Sequence, residues 1–179
     1  MSDNGGRIEV ASRSVGETQA VAARLQPLLE PGDVILLGGE LGAGKTAFVQ
    51  GLARAMGVEG PVTSPTFTLV RSYDGPGGVR LVHADVYRLD HLQEIVDLGL
   101  PELLEEGAGA VGAIEWGEAA APVLARDYLE IRIDFGEGDD DRVLRVTPVG
   151  VRWAAPDRLR RLGDLLGDLL GPRAEDAAS

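Results

Sequence analysis

The sequence predicts a single α/β domain with a mixed, mostly parallel central sheet, β-hairpin additions and flanking helices. Short continuous apolar runs such as Val34–Leu37 are typical of parallel strands that are buried on both faces. These runs alternate with segments whose apolar residues recur every three or four positions, as they do in helices. The length of 179 residues suits one domain, and no internal repeat or long linker divides the chain.

The first third of the chain predicts a strand, a helix, a second strand and a second helix. Arg7–Ser12 alternates in polarity as a short strand does. Val15–Leu29 has apolar residues at helical spacing, and the turn residues from Pro31 onward end the helix. Val34–Leu37 is the buried strand, and a glycine-rich loop joins it to a helix over Lys45–Met56.

The rest of the chain predicts two hairpins, another buried strand and further helices. Phe67–Tyr73 and Val79–Tyr87 flank a glycine-rich loop, which indicates a hairpin. The remaining predicted elements are two short helices in His91–Leu104, a strand at Ala110–Ile114, a hairpin of Tyr128–Phe135 with Arg142–Thr147, and a helix over Pro156–Leu170. We expect an ordered domain over residues 7–171, a disordered start at 1–6 and a flexible tail at 172–179.

Composition excludes several classes of function. The formal net charge of −12 repels nucleic-acid phosphates and anionic lipids, so we expect no direct binding of DNA or of a membrane surface. The absence of cysteine excludes disulfides, thiolate metal sites and a cysteine nucleophile. No segment has the apolar run of a signal peptide or of a membrane span, which predicts a cytoplasmic protein.

The strongest chemical signal is the octapeptide GELGAGKT between the buried strand and the following helix. It matches the phosphate-loop pattern G-x-x-x-x-G-K-S/T in its expected context, and so predicts a P-loop NTPase-like domain. The residues predicted to surround the phosphates are Gly39, Glu40, Leu41, Gly42, Ala43, Gly44, Lys45 and Thr46. Lys45 is the single lysine among 17 basic residues, which strengthens the match. We expect it to reach the β- and γ-phosphates of ATP, with the Thr46 hydroxyl ligating Mg²⁺.

Two acidic residues at the ends of predicted strands could assist the metal or the attacking water. Asp85 ends a strand in the segment HADVYRL, where the two-residue strand period places it on one face with His83. Glu115 follows the strand at Ala110–Ile114. Spacing alone does not rank them, and both could equally be solvated acids.

Other polar segments favour structural interpretations. Ser64–Thr68 could sense a γ-phosphate through its hydroxyls, although such residues beside a proline more often form a turn. The acidic turn at Glu137–Asp141 could chelate Ca²⁺, but charged residues at a hairpin tip are usually only solvated. Two histidines without cysteine make a zinc site improbable.

The ordered motifs GELGAGKT, SPTF, HADVYRL and IEWGE resemble those of the bacterial TsaE ATPases, over about Val15 to Val146. The resemblance implies a small α/β ATPase with a mixed sheet, with ATP and Mg²⁺ as cofactors. It also implies that the protein works with TsaB and TsaD to make threonylcarbamoyladenosine in tRNA, and meets tRNA only through that complex.

The resemblance also implies roles for single residues. Thr46 and Glu115 would hold Mg²⁺, while Gly42 to Thr46 would surround the phosphates. Asp85 would be essential for hydrolysis, which makes Lys45, Asp85 and Glu115 the candidate catalytic set.

Nucleotide contacts outside the loop are implied for five further residues. Trp116 would lie beside the nucleotide, and Thr66 in a switch-like segment. Ser14 or Thr18 would border the adenine. Arg142 is a further candidate, although the turn before it is longer than usual in the family.

Two other classes of function compete with an ATPase that acts through partners. A small-molecule kinase would transfer the γ-phosphate to an acceptor rather than to water. A GTP-dependent switch usually selects guanine with an N/T-K-x-D motif, and the only lysine already belongs to the glycine-rich loop.

Overall fold

The structure is a computed structural model that describes residues 6–65, 68–89, 91–105, 109–167 and 169. Within these residues the strands are β1 (Ile8–Ser12), β2 (Val34–Gly38), β3 (Val70–Asp74), β4 (Arg80–Asp85), β5 (Ala110–Glu115), β6 (Tyr128–Phe135) and β7 (Arg142–Val149). The α-helices are α1 (Val15–Leu25), α2 (Lys45–Ala55), α3 (Leu92–Asp97), α4 (Leu100–Leu103), α5 (Ala121–Leu124) and α6 (Pro156–Gly167).

The strands form one sheet in the order β1–β7–β6–β2–β5–β4–β3. The four central strands β6, β2, β5 and β4 run parallel to one another, while β1, β7 and β3 pair antiparallel at the two sides. The predicted mixed sheet with a parallel centre is therefore confirmed. Both predicted hairpins are present, as β3–β4 and β6–β7.

The sheet is packed on both faces, as the apolar run of β2 predicts. Ile35 and Leu37 point into a core shared with α1, α2 and α6, whereas Val34 and Leu36 point into a second core on the opposite face. The second core contains residues of α3, α4 and α5. All five residues of β2 are buried, so the strand is the centre of a three-layer α/β arrangement.

Some boundaries differ from the predicted ones. The first helix ends at Leu25 rather than Leu29, and a 3₁₀ turn over Gln26–Leu28 follows, because Pro27 has no backbone N–H to continue the helix. The 3₁₀ turn at Gly117–Ala120 and the helix α5 were not predicted.

Several predicted segments lie partly outside the described residues. These are the start at 1–5, the end of the last predicted helix and the tail at 172–179. Within the residues that are described, no helix combines the length and apolar character needed to cross a membrane.

The parallel pairing places the predicted acids beside the glycine-rich loop. Glu115 is the register partner of Leu37 on one side and of Asp85 on the other. The carboxyl ends of β2, β4 and β5 therefore meet at one edge of the sheet, which is the usual ligand-binding edge of an open α/β sheet.

Candidate functional site

The glycine loop, Gly39–Thr46, joins the end of β2 to the start of α2. Gly39 has a φ of +129°, and a Cβ there would be 2.2 Å from the carbonyl oxygen of Ile133, so the chain has room only for glycine. Gly44 has a φ of +113° and precedes the first residue of α2. The loop thus leads directly into the N-terminus of a helix, whose unpaired N–H groups favour an anion.

A cavity of about 470 Å³ opens beside the glycine loop. The structure brings together eight of the predicted site residues along its wall, namely Leu41, Gly42, Gly44, Lys45, Thr46, Asp85, Glu115 and Trp116. It is additionally lined by Ala47, Ser64, Tyr87 and Arg88. The cavity therefore has both cations and carboxylates on its wall.

The ammonium group of Lys45 folds back onto its own loop. Its Nζ donates hydrogen bonds to the carbonyl oxygens of Gly39 at 2.7 Å and Glu40 at 2.8 Å. It also lies 3.8 Å from the centre of the Trp116 ring, which is a cation–π distance. Burial lowers the pKa of Lys45 from its ordinary value, and this effect outweighs the attraction of Glu115 and other nearby carboxylates.

Thr46, Glu115 and His83 form a hydrogen-bonded chain across α2, β5 and β4. The Thr46 hydroxyl donates to Glu115 Oε1 at 2.8 Å, and His83 Nε2 lies 2.8 Å from the same oxygen. Glu115 is 3% exposed and His83 is fully buried. The two contacts anchor the carboxylate of Glu115 at one of its two oxygens.

The carboxylate of Asp85 is held at both oxygens. Its Oδ1 accepts a hydrogen bond from the Tyr87 backbone N–H, and its Oδ2 accepts one from the Ser64 hydroxyl, each at 3.1 Å. Asp85 lines the cavity and keeps 9% of its surface exposed. A carboxylate fixed in this way can accept a hydrogen bond from water in the cavity.

The oxygens of Thr46, at the start of α2, and of Glu115, at the end of β5, suit Mg²⁺. Ligands at about 2.1 Å on neighbouring corners of an octahedral Mg²⁺ shell lie about 3 Å apart. The 2.8 Å separation of Thr46 Oγ1 and Glu115 Oε1 is close to that value. No group of three or more histidine and acidic side chains within the described ranges could hold a metal. Mg²⁺ commonly takes few protein ligands and completes its shell with phosphates and water.

Trp116 has a strained backbone and closes one side of the cavity. Its φ of +61° is uncommon for a residue with a side chain and costs about 1–3 kcal/mol. The conformation directs its ring toward Lys45, and the Tyr87 ring lies 4.7 Å away between centroids. The two aromatic rings therefore give the cavity an apolar wall.

A second, smaller cavity of about 60 Å³ lies on the other side of the glycine loop. Thr18, Ala43 and Arg142 line it, and Arg142 Nε donates to the Ala43 carbonyl oxygen at 3.0 Å. Ser14 instead caps α1 by accepting a hydrogen bond from the Glu17 N–H. The predicted contacts of Ser14, Thr18 and Arg142 with a nucleotide stay predictions.

Sequence reasoning gave no site role to Ala47, Tyr87 and Arg88 of the larger cavity, and it favoured a turn for the segment that contains Ser64. Ser64 lines the cavity, but Thr66, two residues later, lies outside the described residues. The predicted role of Thr66 in a switch-like segment therefore stays a prediction. Tyr87 and Arg88 follow Asp85 by two and three positions in HADVYRL. Their proximity to Asp85 was the available signal, because residues just after a parallel strand commonly line the binding edge.

Comparison with known proteins gives one consistent family. The family model described as threonylcarbamoyl adenosine biosynthesis protein TsaE matches residues 12–144, a range that contains the glycine loop, Asp85 and Glu115.

Two curated relatives and one crystal structure agree with this match. A Streptomyces coelicolor protein described as tRNA threonylcarbamoyladenosine biosynthesis protein TsaE is 45% identical to this chain, and the match covers 75% of this chain and 92% of the relative. A Bacillus subtilis protein with the same description is 42% identical, and the match covers 76% of this chain and 83% of the relative. The crystal structure of Bacillus subtilis YdiB superposes with a TM-score of 0.67 at 31% identity, and covers 90% of this chain and 95% of its own.

Proposed function

This chain belongs to the TsaE family, and on that basis we propose that it binds and hydrolyses ATP within the bacterial machinery that makes threonylcarbamoyladenosine in tRNA. In this proposal it acts as a nucleotide-dependent partner of TsaB and TsaD. The relatives that carry the name TsaE support the pathway, and the cavity beside the glycine loop supports the ATP site.

The observation that best supports an ATP site is that Lys45, Thr46 and Glu115 all lie on the wall of one cavity. A cation on the loop and two oxygen donors 2.8 Å apart are what a metal-bound polyphosphate requires. The first turn of α2 adds unpaired N–H groups to the same wall. Thr46 and Glu115 would hold Mg²⁺, which when bound would neutralise charge on the phosphate oxygens.

The residues of the cavity divide the work of hydrolysis. Lys45 exchanges its two carbonyl partners for phosphate oxygens, which are stronger acceptors for an ammonium group. Asp85 is fixed at both oxygens and orients the attacking water. The rings of Trp116 and Tyr87 cover one side of the cavity and limit the entry of bulk water.

The charge of the chain favours contact with tRNA through partners. A net charge of −12 opposes association with a polyanion, so a protein of this composition gains little from meeting tRNA directly. TsaB and TsaD would therefore supply the tRNA-binding surface, while this chain supplies nucleotide-driven turnover.

Calorimetric titration with ATP tests the nucleotide site. We expect 1:1 binding in Mg²⁺ that weakens when EDTA removes the metal, because Thr46 and Glu115 would then hold no cation to offset the charge of the phosphates. Binding of TsaB and TsaD that depends on the bound nucleotide tests the partnership. An absence of ATP binding in Mg²⁺ would contradict the first part, and a failure to bind the two partners would contradict the second.

Release of ADP separates this proposal from a small-molecule kinase. A kinase would release ADP faster only when its acceptor is added. We expect no acceleration from candidate acceptors such as nucleosides, sugars and amino acids, and slow ADP release in their absence. A large acceleration by one acceptor would favour the kinase.

A further inference from the structure

His83 contacts the proposed metal ligand but does not line the cavity. It lies on β4 two residues before Asp85, and its side chain is fully buried on the same face of the sheet as Glu115. Its Nε2 is 2.8 Å from Glu115 Oε1. That oxygen also accepts the hydrogen bond of Thr46, so two donors meet at a single carboxylate oxygen.

The chemistry of the pair sets the direction of the hydrogen bond. A carboxylate that ligates a metal is ionised and can only accept hydrogen bonds. His83 Nε2 must then carry the hydrogen, and Nδ1 is buried with no hydrogen-bond partner among the described residues. The Nε2–H donor of this buried ring is therefore committed to Glu115, while the other ring nitrogen is left unsatisfied.

The two donors at Glu115 differ in rigidity. The Thr46 hydroxyl can rotate about its Cβ–Oγ bond and belongs to the residue that would itself bind the metal. The His83 ring is enclosed within the sheet, and the β4–β5 register holds it opposite Ala113, two residues before Glu115. His83 is therefore the fixed anchor of the Glu115 carboxylate.

We propose that His83 is a positioning residue that holds Glu115 Oε1 in place, so that Glu115 and Thr46 present a preformed pair of oxygens to Mg²⁺. The inference rests on the proposed function, because it concerns the metal that accompanies the nucleotide. Hydrogen bonds to ligating carboxylates orient them, and their removal commonly lowers metal affinity about 10- to 100-fold.

The test measures the affinity for ADP by calorimetry across a range of Mg²⁺ concentrations and in EDTA. His83→Phe removes the donor and keeps an aromatic ring, whereas His83→Gln keeps an N–H donor at a similar reach. In His83→Phe, we expect the Mg²⁺ concentration that gives half of the maximal gain in ADP affinity to rise by about tenfold or more. In EDTA, the ADP affinity of His83→Phe should equal that of the unsubstituted chain. The His83→Gln variant should recover most of the Mg²⁺ response.

A double substitution separates positioning from simple packing. If His83 acts through Glu115, then His83→Phe should not weaken the Mg²⁺ response further in a Glu115→Gln background. If thermal unfolding shows that the His83→Phe variant is not folded, His83→Asn takes its place. The asparagine amide is one methylene shorter than the glutamine amide of His83→Gln, so it does not reach Glu115.

Three results would overturn the inference. These are an unchanged Mg²⁺ response in His83→Phe, an equal loss of affinity in EDTA, or a response in folded His83→Gln as weak as that of the donor-free variant. In each case Mg²⁺-dependent binding by the unsubstituted chain would leave the proposed function standing. No nucleotide binding by the unsubstituted chain at any Mg²⁺ concentration would overturn both.

Discussion

Lys45 is held in the free protein by contacts that a phosphate can replace. Two carbonyl oxygens and the Trp116 ring surround its ammonium, and neither cavity carboxylate forms a hydrogen bond with it within the described residues. Burial lowers the pKa of Lys45, because the loss of water around the ammonium outweighs the attraction of those carboxylates. An incoming polyphosphate would supply negative charge to this buried ammonium, so we expect its binding to offset the cost of burial.

Replacement of Lys45 should therefore remove nucleotide binding. We expect Lys45→Ala to lower ATP affinity at least about 100-fold, because charge-assisted hydrogen bonds contribute roughly 1.5–3 kcal/mol each. Calorimetry measures the change. The matched control is Arg54→Ala, which removes an exposed cation at the other end of α2 that contacts Gln19 and should leave ATP affinity unchanged. Retained affinity in Lys45→Ala would exclude this loop as the phosphate site.

Replacement of Asp85 should affect turnover more than binding. Asp85→Asn keeps the size of the side chain but removes its charge, and we expect ATP hydrolysis to fall by at least about 100-fold. The dissociation constant for ATP should change far less, because the proposed role of Asp85 is to orient water and not to hold phosphate. Asp74→Asn is the control, since the carboxylate of Asp74, at the exposed end of β3, pairs with Arg80 of β4. Full hydrolysis by Asp85→Asn would remove Asp85 from the mechanism.

Two elements outside the parallel centre of the sheet support the site. The hairpin β6–β7 reaches the glycine loop through Arg142, whose guanidinium also donates to the carbonyl oxygens of Asp139 and Asp141 and lies 4.6 Å from the Phe135 ring centre. The helix α6 packs against α1 and β1 and adds its buried Leu162 and Leu166 to the core behind the site. One element thus fixes the loop, and the other stabilises the layer behind it.

The Arg142 contact should influence nucleotide affinity through the loop. Arg142→Ala frees the Ala43 carbonyl oxygen, and we expect affinity for ATP to fall about 2- to 10-fold, the value of one hydrogen bond. Arg145→Ala on the same strand is the control, because Arg145 pairs with Glu9 and Asp134 at the surface. Equal affinities for the two variants would show that the hairpin does not hold the loop.

A buried ion pair should make α6 important for stability. Arg158 of α6 pairs with Asp33, which is 1% exposed, and its guanidinium lies 3.7 Å from the Trp153 ring centre. Arg158→Ala leaves Asp33 buried without this partner, so we expect the free energy of unfolding to fall by about 3–5 kcal/mol in urea titrations. Arg160→Ala breaks an exposed pair with Asp157 and should cost less than about 1 kcal/mol. Similar losses in both variants would contradict this role.

Apolar patterning predicted the central strands β2 and β5 well, because burial on both faces gives each a clear run of apolar residues. The pairing of the edge strand β1 with β7 left no such trace, since its register depends on contacts between segments far apart in the sequence. The site shows the same division. The loop motif identified Lys45 and Thr46, but strand period alone placed His83 beside Asp85 and could not show that its ring contacts Glu115.

At the scale of the whole molecule, the C-terminal helix is part of the same domain as the glycine loop. The TsaE model ends at residue 144, within β7, and α6 follows beyond it. Because α6 packs against the same core as α1 and α2, it extends the domain and does not form a separate unit.

The most direct test of this account is the rate of ATP hydrolysis measured with and without purified TsaB and TsaD. We expect slow hydrolysis by the chain alone and clear stimulation by the two partners together. The stimulation should disappear in Lys45→Ala, which confines it to the glycine loop of this chain. Hydrolysis that TsaB and TsaD do not change, or stimulation that persists in Lys45→Ala, would contradict the account.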